Sequence, residues 1–117
     1  MRILTLATTT FFATAAATAA HAHAFLDHAE PRVGSTVPSA PREVVLTFSE
    51  SLEPAFSSVE VSDANGHSVG QGKPRVSATT MRVGLKPLPP GTYRVRWHVL
   101  SADTHTTEGN FTFQVGR

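Results

Sequence analysis

The sequence predicts an all-β domain, a small Greek-key barrel or sandwich, and three observations carry that prediction. Apolar and polar residues alternate with a period of two in short runs, Pro and Gly interrupt the runs at close intervals, and no stretch sustains a 3.6-residue period. Counted along the chain, the runs give about seven strands, an immunoglobulin-like number.

Phe25 to Ala29 reads as the first strand, followed by the loop Pro31-Arg32-Val33-Gly34 and by Pro38 and Pro41. Val44, Leu46 and Phe48 alternate with Val45 and Thr47, which sets the first three on one face of a strand, toward a core. Ser49 to Phe56 breaks the alternation and contains Pro54, the pattern of an irregular loop or short helical turn. Val59 and Val61 resume a strand that stops at Asp63-Ala64-Asn65-Gly66, where Asn-Gly signals a tight turn. Short strands are expected over His67 to Val69 and Thr80 to Leu85, and a turn over Lys86 to Gly91 with its three prolines. Tyr93, Val95, Trp97 and Val99 then alternate with Arg94, Arg96, His98 and Leu100 in the clearest strand, and Phe111, Phe113 and Val115 form its expected partner.

Ahead of these strands lie a basic start at Arg2, an apolar Thr/Ala-rich stretch from Ile3 to Ala20, and small residues at Ala20 and Ala22. This is the pattern of a secretory signal peptide over residues 1–22, cut after Ala22, which leaves residues 23–117 as a single domain. Cleavage after Ala20 instead would start the chain His21-Ala22-His23, but Thr18 suits the third position before the cut less well than Ala20 does. Of ten basic and nine acidic residues only Arg2 leaves with the leader, so the mature chain is formally neutral. Nothing in that balance suggests a nucleic-acid or anionic-membrane partner. No apolar run beyond the leader approaches the roughly 20 residues that span a bilayer, so no direct membrane insertion is expected after processing. Cysteine is absent, which removes disulfides, a thiol nucleophile and any thiolate copper site of the blue electron-transfer type.

Cleavage after Ala22 places a free α-amino group and an imidazole on one residue, His23, and those two nitrogens can close a six-membered chelate ring around a metal. A second candidate lies between the last two strands, in Ser101-Ala102-Asp103-Thr104-His105. If Asp103 to His105 is extended, residues two apart project to the same side, and the carboxylate and imidazole converge.

His23-Ala24-Phe25-Leu26, Pro31-x-x-Gly34, Phe48-Ser49-Glu50, Gly91-Thr92-Tyr93-x-Val95-x-Trp97 and Ser101-x-Asp103-x-His105 resemble, in order, the motifs of the CopC family of periplasmic copper-binding proteins. The resemblance implies a cupredoxin-like or immunoglobulin-like barrel that binds one Cu(II) per chain through His23, Asp103 and His105. His23 would supply its α-amino nitrogen and a ring nitrogen, His105 a second imidazole and Asp103 an oxygen, a donor set that suits Cu(II). Glu50 matches the family's acidic residue and would orient the site as a hydrogen-bond acceptor. The resemblance further implies a periplasmic location, a role in sequestering copper, and a copper-transporting inner-membrane protein as partner. Thr106-Thr107 departs from the Pro and aliphatic residue usual after the final His. The family's Met-rich Cu(I) site has no counterpart, because the only methionines are Met1 and Met81 and the latter reads as core.

Two other function classes compete with this reading. An amino-terminal His with a second His also builds the copper brace of lytic polysaccharide monooxygenases, but here a carboxylate is placed to fill the plane and few aromatics remain for a substrate platform. A metal-free immunoglobulin-like module explains the strands and treats His23, Asp103 and His105 as coincidence. Among the other histidines, His98 shares a face with Arg94 and Arg96, His28 is expected at the surface, and His67 follows the Asn-Gly turn with no apparent partner.

Overall fold

In the computed structural model, residues 25–116 are described, and they form two packed four-stranded sheets. The strands are β1 (Leu26–Glu30), β2 (Thr36–Val37), β3 (Glu43–Phe48), β4 (Ser58–Ser62), β5 (Gly70–Ser77), β6 (Thr80–Leu85), β7 (Gly91–Leu100) and β8 (Thr106–Val115). One sheet runs β1-β3-β6-β5 and the other β2-β8-β7-β4. The signal peptide expected over residues 1–22, and His23 itself, lie outside the described residues.

Alternation along each strand decides which face meets the other sheet. Val44, Leu46 and Phe48 of β3 are buried, as are Tyr93, Val95 and Val99 of β7 and Phe111, Phe113 and Val115 of β8. Met81 and Val83 of β6 and Val59 and Val61 of β4 complete the contiguous core, with Leu88 plugging one side from the proline-rich loop. Met81 is fully buried, as its strand position predicts. Trp97 packs edge-on against Phe48 with ring centroids 5.3 Å apart.

Two elements differ from the sequence expectation. The strand expected at His67 to Val69 is an isolated bridge between Ser62 and Ser68, and the true partner of β6 is β5, displaced to Gly70–Ser77. Pro74 and two glycines obscure β5 in the sequence, yet each is compatible with an edge strand: Pro74 falls where the register slips between Gln71 and Arg75, and Gly72 has φ +77°. The other addition is β2, two residues that pair parallel to the end of β8 and raise the strand count to eight. Pro54 opens a single 3-10 turn, Pro54–Phe56, within the irregular segment expected there.

Candidate metal centre

β7 and β8 pair from Gly91↔Val115 to Leu100↔Thr106, and the chain reverses through Ser101 to His105. Ser101 N–H donates to His105 O at 2.9 Å, Thr104 N–H donates to Ser101 O at 2.9 Å, and Thr104 has φ +72°. These features make a three-residue hairpin loop in which the last residue takes the left-handed conformation. The Asp-x-His triplet is therefore turned, where the spacing argument expects it extended. The turn nevertheless brings the two side chains together, with His105 Nδ1 3.4 Å from Asp103 Oδ2.

Ser101 is fully buried at the base of this loop, and its hydroxyl donates to Asp103 Oδ1. That hydrogen bond holds the Asp103 carboxyl below the usual carboxylate range, aided by His105 and opposed by partial burial. Asp103 is thus an ionised acceptor at neutral pH, with one oxygen held by Ser101 and the other facing an imidazole. His105 is about half exposed. The pair is open to an incoming ion.

Backbone hydrogen bonds connect this loop to the start of the described chain. Ser49 N–H donates to Phe25 O at 2.8 Å, and Phe25 N–H donates to Ser49 Oγ at 2.8 Å. On its other side the same segment meets the loop: Ala102 N–H donates to Ser51 O, Leu52 bridges Ser101, and Glu53 N–H donates to Leu100 O. Residues 49–53 are therefore a strap with Phe25 at one end and the Asp103 loop along the other. Phe25, the first described residue, is thus tied to the end of the sandwich that carries the Asp103 loop, and His23 lies outside the described residues. Glu50 sits half-buried inside the strap.

Among the described residues, no three His, Cys, Asp or Glu side chains converge as a metal-binding group. Asp103 and His105 are brought together as a pair, and Glu50 does not join them as a third member. The donor chemistry suits a borderline divalent ion. Two ligands each roughly 2 Å from a first-row metal stand about 2.8 Å apart at a right angle, so the observed 3.4 Å needs only a small closure.

Among the described residues, the other three histidines do not group with this pair. His98 is exposed on the outer face of β7, and His28 is exposed on β1 with Nε2 3.1 Å from Glu30 Oε1. His67 has the partner that its sequence neighbourhood hid: Asp63 Oδ1 accepts from His67 N–H at 2.9 Å, and Asp63 Oδ2 lies 3.6 Å from His67 Nδ1. Ser101 and Thr104 were absent from the sequence-predicted set of functional residues. The burial of Ser101 depends on the strap, and the conformation of Thr104 on the closing turn, neither of which leaves a periodic signal.

A family model described as the CopC domain matches residues 26–116. Copper resistance protein C of Escherichia coli is 35% identical over 106 residues, spanning 82% of this chain and 83% of the relative. The copper transport protein CutJ of Bacillus subtilis is 34% identical over 100 residues, which cover 82% of this chain but 18% of that much longer relative. Among solved structures, the crystal structure of CopC from Methylosinus trichosporium OB3b superposes with a TM-score of 0.74 at 32% identity, covering 80% of this chain and 93% of that one.

Proposed function

The chain belongs to the CopC family, and from that premise we propose that it is a periplasmic copper-binding protein that holds one Cu(II) ion at the Asp103 loop. The observation that carries the reading is the Asp103–His105 pair, an ionised carboxylate and an imidazole 3.4 Å apart on an exposed turn. His23 completes the donor set in this reading, with its α-amino and ring nitrogens, after cleavage following Ala22. The strap at residues 49–53 supports that assignment, because it ties the backbone at Phe25 to the end of the sandwich that carries the loop.

The function is coordination without turnover: the protein sequesters copper or hands it to a copper-transporting inner-membrane protein. Relation to a stretch of a longer chain named for copper transport supports the delivery role. Cu(II) is favoured over Cu(I) because soft thioether ligands are lacking, Met81 being fully buried in the core. Glu50 acts, in this reading, through hydrogen bonds that orient the ligands.

The test is Cu(II) affinity, by chelator competition, for protein beginning at His23 and for protein with one residue added ahead of it. A loss of affinity on adding that residue supports a free α-amino ligand, and equal binding by both forms rejects it. Acid also separates the possibilities. The α-amino group and imidazole have reference pKa values of about 7.7–8.0 and 6.5, so copper should dissociate progressively as pH falls below neutral. Retention of copper under mildly acidic conditions would exclude these ligands.

A further inference from the structure

We infer that Ser101 is the positioning residue of the metal site, its buried hydroxyl holding Asp103 Oδ1 so that Oδ2, beside His105 Nδ1, is the oxygen presented to the ion. The inference rests on the copper reading above and adds a role for a side chain that would not itself touch the metal.

Ser101 is the buried polar residue among the described residues, with none of its surface exposed. A buried hydroxyl has to be paired, and this one lies between the two candidate ligand residues. It donates to Asp103 Oδ1, and its oxygen stands 3.1 Å from the backbone carbonyl of His105. With a single proton to give, it favours the charged acceptor, since hydrogen bonds to carboxylates are the stronger.

The hydroxyl is also fixed in space. Ser101 N–H is bound to His105 O, its carbonyl accepts from Thr104 N–H, and Leu52 bridges it from the strap. Asp103, by contrast, is on an exposed turn where a free carboxylate would sample several rotamers in water. Anchoring one oxygen to a buried, immobile donor removes that freedom and leaves the second oxygen turned toward the imidazole. Such outer partners typically change metal affinity by about 10–100-fold when removed.

A double-mutant cycle tests the assignment by chelator competition with Cu(II), using the processed protein. Ser101→Ala should weaken binding about 10–100-fold in the native background and have no further effect in an Asp103→Ala background. Ser101→Thr, which keeps the hydroxyl, should retain affinity and give the native Cu(II) electron paramagnetic resonance spectrum. Equal losses from Ser101→Ala in both backgrounds would mean that Ser101 acts through folding alone and would overturn the proposal. So would native affinity in Ser101→Ala, or an altered spectrum in a folded Ser101→Thr. If Asp103→Ala itself binds copper as well as the native protein, Asp103 is no ligand, and the copper reading of this loop fails together with the positioning role. Thermal melts of the metal-free variants identify any that do not fold.

Discussion

Gly109 lies directly opposite Trp97 across β7 and β8, and a Cβ there would stand 2.5 Å from Trp97 Cζ2 and 2.9 Å from Cε2. The indole lies over the glycine, with its Nε1 buried and lacking a hydrogen-bond partner. Gly109→Ala must therefore displace the ring, and overpacking of this kind costs about 1–3 kcal/mol. Because the chain has a single tryptophan, the check is direct: the alanine variant should unfold at lower urea and shift the native fluorescence spectrum. An unchanged midpoint and spectrum would show that the ring has room to move. The inward face of Trp97 is legible in the sequence, since it continues the Tyr93 and Val95 alternation, although the side chain is only partly buried against the core. Its rest on Gly109 is not, because cross-strand register cannot be read from either strand alone. The candidate site divides in the same way. Asp103 and His105 stand out by residue type and spacing, whereas Ser101 is placed by a backbone bridge to Leu52 that its residue type does not announce.

Turns show where an element was readable and where it was not. The Asn65-Gly66 signal marks the end of β4, and Gly66 has φ +83°, a conformation that a Cβ disfavours. Asp63 organises this turn by accepting from the backbone N–H groups of both Asn65 and His67 at 2.9 Å. Those bonds, led by the one from His67, hold the Asp63 carboxyl below its ordinary range. A carboxylate lowered in the folded state stabilises above its unfolded pKa of about 3.9, and that contribution disappears as pH falls through the folded value. Asp63→Ala should accordingly melt below the native protein at neutral pH, with the gap closing in strong acid. A gap that persists at low pH would mean that ionisation of Asp63 contributes nothing. Strand β5 is the contrasting case. Pro74 and two glycines erase its alternation, and it survives because an edge strand needs a partner on only one side. Tyr93 donates its hydroxyl to Pro89 O, four residues upstream, which ties the proline-rich turn to β7. Tyr93→Phe should lose about 0.5–1.5 kcal/mol, read from denaturant midpoints.

Across the whole molecule, the two-layer architecture was legible because buried positions alternate so regularly on β3, β7 and β8. The strap was not legible, since residues 49–53 lack periodicity and act through backbone hydrogen bonds that their side-chain types do not encode. The strap nevertheless separates two kinds of stability in this domain. Leu46 lies at the centre of β3 with no exposed surface, while Leu52 lies in the strap, 5% exposed and bridged to Ser101. Truncating either to alanine removes core packing and should cost about 2–5 kcal/mol, a large share of the roughly 5–15 kcal/mol that holds such a domain. Each kcal/mol should lower the melting temperature by about 4–8 °C. Their effects on copper should differ. Leu46 is paired with Ala29 and Met81 within its own sheet, so Leu46→Ala should bind Cu(II) with native affinity wherever it remains folded. Leu52→Ala removes the core anchor of the strap whose backbone bridges Ser101, so it should lose affinity as well as stability. Melting curves and chelator competition on both variants decide the point. Equal affinities would mean that the loop holds its shape without the strap, whereas a loss confined to Leu52→Ala would show that strap and loop hold the proposed copper site as one unit.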